Sequence, residues 1–325
     1  MSATRPVRWG FLGAGFVASR GMAPAVHAAQ GAVLQAVGAR DAARAAALEP
    51  AGVVGSYADV CDRDDVDAAY VSLPNDDHLR WVLHALESGK HVLCEKPLAL
   101  DADEVIVMRA AAEQAGLLLV EAAWNRWHPR TRRLESLLAP VPGPRSVEAW
   151  FTFPGVPADN YRLDPARGGG ALLDVGCYTV AAALTALGVG EVDAPAEASI
   201  SDVERHVGPT GVDLTTTARL SGANGTARIV ASFERPEAQG LTIEAPEFSL
   251  ALGGQAFTTW REPCALRVTQ DGSTRVEEFA ACDPYQLMVE AVSDRIRGGD
   301  SWVLPLSTSL AVAAAVDAIA AAPTG

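Results

Sequence analysis

The apolar positions of this chain fall in short runs, each closed by glycine or a polar cluster and followed by a segment of helical length. Val7 to Leu12, Leu34 to Gly38, Val66 to Leu73, Val92 to Cys94 and Leu117 to Val120 read as buried strands. Between two of them, Leu79, Val82, Leu83 and Leu86 recur at i, i+3, i+4 and i+7, the stripe of an amphipathic helix. Gly89 stands where that helix should stop, and Asp101 with Glu104 opens the next one as a capping box that Gly116 closes. Strands alternating with helices from Val7 to Val120 predict an α/β fold built on a doubly wound parallel sheet.

The pattern then changes. Trp124 to about Leu138 reads as a loop and helix, with Arg130 and Arg133 on a solvated basic opening. Ser146 to Phe153 alternates as a strand should. Gly168, Gly169 and Gly170 make a loop of permissive backbone ahead of a helix from Ala171. On that helix Asp174 and Tyr178 stand at i and i+4, so they share one face. From about Ala196 to Glu278 alternation takes over, with a turn at 222–225. Runs at 241–245, 248–252, 256–260, 266–269 and 276–279 extend it into a large open, mainly antiparallel sheet. Tyr285 to Arg297 and Ser307 to Ala321 read as closing helices.

Composition narrows the function. At 325 residues the chain suits about two domains, and 49% hydrophobic with 20% charged residues is ordinary for a globular protein. A net charge of -14 argues against nucleic-acid or anionic-membrane partners, which need basic patches. No apolar run approaches the ~20 residues of a membrane span, and no signal-like apolar region follows the N-terminus. The five cysteines are scattered, without a C-x-x-C pair, as reduced thiols in a cytoplasmic protein would be. No cluster with metal-ligand spacing stands out, so no metal site is expected.

The first candidate chemistry follows the first strand. Gly13-Ala14-Gly15-Phe16-Val17-Ala18 is G-x-G-x-x-A between a strand and a helix. Its first glycine permits a tight turn, its second admits a pyrophosphate, and its small sixth residue allows close helix packing. Gly13, Gly15, Phe16 and Val17 are therefore expected to bind a dinucleotide. The second strand ends at Ala39-Arg40-Asp41. An acidic residue there would favour the ribose hydroxyls of NAD, whereas Arg40 suits a 2′-phosphate, so NADP(H) is favoured over NAD(H). Leu73, Pro74 and Asn75 close another strand where a loop would touch the cofactor, and His78 either joins them or simply opens the helix. Glu95-Lys96-Pro97 ends the next strand. A lysine at a strand end is a solvated charge or a placed proton handler, and the proline stops the strand.

These motifs together resemble the glucose–fructose oxidoreductase/inositol dehydrogenase family (Gfo/Idh/MocA). The resemblance rests on the Gly13–Ala18 turn, the Leu73-Pro74-Asn75 strand end, and the stretch Ala85 to Leu98 that contains Glu95-Lys96-Pro97. Arg126-Trp127-His128-Pro129 and Gly168 to Tyr178 extend it. It implies a dinucleotide-binding domain over 1–123, and a substrate-binding and oligomerisation domain over 124–325. It further implies a homo-oligomer, dimer or tetramer, formed through the C-terminal sheet. Lys96, Asp174 and Tyr178 match the family's active-site positions, with Glu95, Lys96 and Pro97 at the cofactor and Pro97 often following a cis peptide. Many members carry histidine where this chain has Tyr178. The tyrosine is similar to the branch of dihydrodiol and xylose dehydrogenases and nucleotide-sugar 3-ketoreductases. Arg126 and His128 align near the family's site, and Tyr161 and Arg162 are further candidates for substrate contact.

The chemistry is consistent with that assignment. Hydride transfer to a carbonyl leaves an alkoxide that needs a proton, and a phenol with a pKa near 10 serves at neutral pH only if a cation stabilises its phenolate. Tyr178 is the expected acid/base, Lys96 its electrostatic partner, and Asp174 the group that orients substrate or lysine. A cofactor-binding regulator without chemistry and an NAD-dependent glycosidase are the alternatives on the same fold.

Overall fold

The computed structural model describes residues 5–189 and 198–323. The expected onset of the β-rich stretch at Ala196 lies outside them. The chain divides into two compact units. The first takes Met1–Ala99, Asp103–Trp127 and Asp283–Leu306; the second takes Leu100–Ala102, His128–Cys282 and Ser307–Gly325. The helix Pro284–Ile296, placed by sequence with the second domain, thus belongs to the first unit. Its Ser293 hydroxyl accepts a 3.1 Å hydrogen bond from the Trp9 indole N–H at the centre of the first sheet.

That sheet has six strands: β1 (Val7–Leu12), β2 (Ala32–Gly38), β3 (Gly52–Val54), β4 (Ala68–Val71), β5 (His91–Cys94) and β6 (Leu119–Glu121). They run parallel in the order β3-β2-β1-β4-β5-β6. This is the doubly wound arrangement, and β1 lies at the switch point, pairing with β2 on one side and β4 on the other. Trp9, Phe11, Leu12, Tyr70 and Leu93 are fully buried, which is why these strands read as continuous apolar runs. β3 and the helix Tyr57–Cys61 went unread. β3 spans only three residues, too few to show a period.

The second unit carries an eight-stranded sheet: β7 (Arg145–Thr152), β8 (Ser199–Val207), β9 (Asp213–Gly222), β10 (Gly225–Ser232), β11 (Ala238–Ala245), β12 (Phe248–Leu252), β13 (Cys264–Gln270) and β14 (Ser273–Phe279). The order is β14-β13-β12-β11-β7-β10-β9-β8, with the β7–β10 pair parallel and the others antiparallel. Its inner face (Val147, Ala149, Leu220, Ile229, Ile243, Leu250 and Val268 among others) packs in one core with Val180, Leu184 and Leu187 of the helix Cys177–Leu187. One expected strand is absent. Residues 256–260 form a turn, where Ala256, Phe257 and Thr259 point inward, so apolar residues there reflect a plug and not a pleat. The stretch Pro165–Leu187 has the length and apolarity of a membrane span, which the sequence reading did not foresee, but 78% of its most apolar window is buried within the protein.

Candidate active site

In the first unit the site is assembled at the carboxyl ends of the parallel strands. Gly13 turns the chain at φ 106°, and its N–H donates to the Gly38 carbonyl at 2.8 Å. A Cβ there would lie 2.5 Å from the Ser72 carbonyl oxygen, so only glycine fits. At Gly15 the nearest atom to an added Cβ is 4.0 Å away, which leaves the space open for a ligand. Phe16 follows with 76% exposure, an uncovered apolar ring beside that opening, while Val17 is half-buried. An open backbone approach and an exposed apolar ring fit a dinucleotide lying across the turn.

At the end of β2, Asp41 caps the helix Ala42–Ala46, its Oδ1 accepting from the N–H groups of Ala43 and Arg44. A carboxylate so engaged competes poorly for ribose hydroxyls. Arg40 is exposed beside it. Arg44, which sequence reasoning missed, reaches back to donate to the Ala14 carbonyl of the glycine turn at 2.7 Å. Its signal in the sequence was no more than a cation in a short helix.

Leu73 and Pro74 are half-buried at the end of β4, and Asn75 is buried. His78 opens the helix His78–Glu87, the second of its two readings. It is fully buried, with Nδ1 3.0 Å from the Pro97 carbonyl oxygen and Nε2 3.0 Å from that of Leu73. A ring enclosed on all sides makes no direct contact with a cofactor, so the proposed cofactor contact is withdrawn. Burial lowers its pKa, against the pull of the Leu73, Pro97 and Leu98 carbonyls.

Glu95, Lys96 and Pro97 follow β5, and the Lys96–Pro97 peptide is cis. Lys96 is half-buried. Glu95 points inward and accepts a 2.6 Å hydrogen bond from the Tyr70 hydroxyl. Burial raises the Glu95 pKa to about 7; the Tyr70 hydroxyl and Lys96 pull it down, and Glu121 pushes it further up. Glu121, at the end of β6, accepts from the Leu98 N–H at 3.1 Å. The charged strand ends thus form one buried polar layer, of which the sequence reading had identified only Glu95 and Lys96. Tyr70 and Glu121 sit inside or directly behind apolar runs, where a single polar residue does not disturb the strand pattern.

In the second unit Asp174 and Tyr178 are both 8% exposed. The helix that carries them opens with a π-turn over Leu172–Gly176 before the α-helix Cys177–Leu187, so the site begins on an irregular turn. Gly170, at φ 120°, faces the Asp213 carboxylate so closely that a Cβ has no room. Asp213 in turn accepts from the Leu172 N–H at 2.9 Å and the Thr216 hydroxyl at 2.7 Å, fixing the start of the helix. Arg162 donates from Nε to Asp174 at 2.7 Å and lies over the Tyr161 ring at 5.1 Å. Burial works against the Arg162 charge, but Asp174 outweighs it and raises its pKa, with Tyr161 and Tyr178 adding to the effect. The Tyr178 ring packs against Phe151 and Phe257, with centroids 5.6 and 6.2 Å away. Within this unit Asp174, Arg162, Tyr161 and Tyr178 are therefore brought together.

The other expected contacts lie on different elements. His128 is 2% exposed and caps the helix Pro129–Leu138, its Nδ1 accepting from the Arg130 N–H, while Nε2 lies 3.7 Å from the Cys264 sulfur. Burial first, and Arg130 second, push its pKa down to about 4. His128 thus serves as a neutral helix cap, the structural one of its two readings. Arg130, read as solvated, is 3% exposed and donates to the Gln255 and Ala256 carbonyls and the Thr259 hydroxyl. Arg133 is the exposed member, paired with Glu277 at 2.8 Å. Arg126 is half-buried on the turn Trp124–Trp127 of the first unit.

A six-stranded doubly wound sheet with a glycine turn at its switch point and polar strand ends defines a dinucleotide-binding protein. The comparisons make this specific. Residues 7–122 match the oxidoreductase family with the NAD-binding Rossmann fold (GFO/IDH/MocA), and residues 143–246 match the C-terminal domain of the same family. The chain belongs to this oxidoreductase family. It is 35% identical over 322 residues to D-xylose 1-dehydrogenase (NADP(+)) 2 of Haloferax volcanii, covering 96% of this chain and 95% of that one. It is 32% identical over 301 residues to the dTDP-3,4-didehydro-2,6-dideoxy-α-D-glucose 3-reductase of Streptomyces violaceoruber, covering 90% of this chain and 86% of that one. The crystal structure of a 3-ketoreductase from Actinomadura kijaniata with NADP and TDP-benzene superimposes with a TM-score of 0.87 at 28% identity, over 97% of each chain.

Proposed function

We propose that this protein is a cytoplasmic NADP(H)-dependent oxidoreductase. It acts on a carbonyl or secondary alcohol of a sugar, a nucleotide-linked sugar or a related cyclic compound. The observation that carries this reading is the intact pair of polar sites, Glu95-Lys96-Pro97 in one unit and Asp174 with Tyr178 in the other, in a chain whose full-length relatives are a sugar dehydrogenase and a nucleotide-sugar reductase.

When bound, the nicotinamide supplies or accepts the hydride. In the reducing direction the Tyr178 hydroxyl gives its proton to the developing alkoxide, and in the oxidising direction the phenolate takes it back. Lys96 lowers the cost of the phenolate by its charge. Asp174, held by Arg162, orients the substrate hydroxyls beside Tyr178. Arg40 and Arg44 receive the 2′-phosphate, two cations against the single Asp41 carboxylate, which caps the helix. The outer face of the second sheet, where the Trp150 indole lies over Gly240, is the surface on which copies of the chain would pair.

The test is NADPH oxidation and NADP reduction across aldoses, dTDP-linked ketosugars and cyclic diols. Turnover on at least one class, with NADPH preferred over NADH, is expected. Tight NADPH binding with no turnover would point instead to a regulator, and release of free sugar without net cofactor change to a glycosidase. Arg44→Ala is expected to weaken NADPH about tenfold to a hundredfold and NADH little, since a charged hydrogen bond to phosphate contributes about 1.5–3 kcal/mol. Equal weakening of both cofactors would remove Arg44 from the phosphate site.

A further inference from the structure

The His78 ring stands between the two parts of the first unit's site. One nitrogen faces Leu73, the first residue of the Leu73–Asn75 strand end, and the other faces Pro97, next to Lys96. The strand end is held from the other side by β1, since the Ser72 N–H donates to the Leu12 carbonyl at 3.0 Å. The Pro97 side is anchored in the same way: the Leu98 N–H donates to Glu121. The His78 side chain spans the gap between these two anchored segments. It does so without exposure, so no ligand competes for it. Each nitrogen lies within hydrogen-bond distance of one carbonyl, and the rigid ring between them sets the distance.

We infer that His78 is a positioning residue that holds the Lys96–Pro97 turn at a fixed distance from the Leu73–Asn75 strand end. Through it, the placement of Lys96 depends on the seating of the cofactor loop. This role rests on the NADP(H) oxidoreductase reading, because it is to that cofactor that both segments are assigned.

The test compares His78→Phe, which keeps a ring of similar width without a donor, with His78→Asn and His78→Gln. In these, an amide N–H can occupy the place of Nδ1 or Nε2 respectively. Three measurements are made well below each variant's unfolding temperature. In the cofactor-free protein, hydrogen–deuterium exchange of His78→Phe should speed up in peptides covering 72–77 and 95–99 and not elsewhere in the sheet. The NADPH Kd should rise about fivefold to tenfold. The kcat should fall at least tenfold with the substrate KM little changed. Either the Asn or the Gln variant, whichever restores the bonded arm, should recover most of each loss. A His78→Phe protein with wild-type exchange, Kd and kcat would show the ring to be packing only. Failure of both amide variants to improve on Phe would show the same. If Phe does not fold, the amide variants decide: equal exchange in both segments for Asn, Gln and wild type overturns the role. Absence of turnover in the wild type would count against the oxidoreductase reading, and the exchange and Kd results would still decide on His78.

Discussion

Tyr178→Phe should bind NADPH as tightly as the wild type and lose about two to three orders of magnitude in kcat. The expectation follows from what the hydroxyl does and what the ring does. The ring packs between Phe151 and Phe257 on a helix whose start is fixed by Asp213. Phenylalanine keeps those contacts, so the fold should hold. Its loss removes the proposed proton donor, and positioned acid–base catalysis contributes roughly 10²–10⁴ in rate. The loss should appear in kcat and kcat/KM together, because the missing interaction strengthens only as the alkoxide develops. Steady-state kinetics with a substrate found by the panel, alongside fluorescence titration of NADPH, make the measurement. Turnover within threefold of wild type would end the role assigned to Tyr178, and a large rise in the NADPH Kd would show that the hydroxyl serves cofactor binding instead.

Glu95→Gln should make the protein more stable at pH 8 and leave it little changed near pH 4. Glu95 is buried, and its folded-state pKa lies at about 7 against an ordinary 4.5. Between those two values the folded protein holds a proton that the unfolded chain has released. Folded protein therefore binds more protons, and stability falls as pH rises through this window, then levels off above it. The shift of about 2.5 pH units corresponds to on the order of 3 kcal/mol at 1.36 kcal/mol per unit. Glutamine carries no charge at any pH and can still accept from the Tyr70 hydroxyl, so it removes the slope without removing the hydrogen bond. Urea unfolding of both proteins from pH 4 to pH 8.5 reads the difference. Parallel curves would mean that Glu95 titrates normally and that the buried layer of Tyr70, Glu95 and Glu121 is better solvated than its burial implies.

The parts of this protein that could be read from sequence are those where local chemistry and tertiary role coincide. The glycine turn is one: Gly13 needs its positive φ because of the chain immediately around it and the neighbouring strand, and a strand–turn–helix pattern announces both. The strand ends at Leu73 and at Glu95-Lys96-Pro97 are another, because polar residues and proline must stop an apolar run. His78 and His128 were open to two readings in the sequence for one reason. A histidine at a helix start looks the same in sequence whether it faces a ligand or turns inward to backbone carbonyls and N–H groups, and here both turn inward. Arg130 illustrates the same point for a cation: the chain around it is basic, yet the carbonyls that bury it come from residues 255 and 256, far away in sequence.

The sequence by itself determined the alternation of five of the first unit's strands (β1, β2, β4, β5 and β6) with helices, the glycine turn for a dinucleotide, and the residues at the strand ends. Each of these follows from periodicity or backbone sterics acting over a few neighbouring positions. Only the tertiary structure decided which polar groups meet. It set Asp174 against Arg162, Glu95 against Tyr70, Arg44 against the glycine turn and His78 between two carbonyls. It also returned the helix Pro284–Ile296 to the first unit. Such pairings depend on distances between segments remote in the chain, and a local pattern carries no record of them.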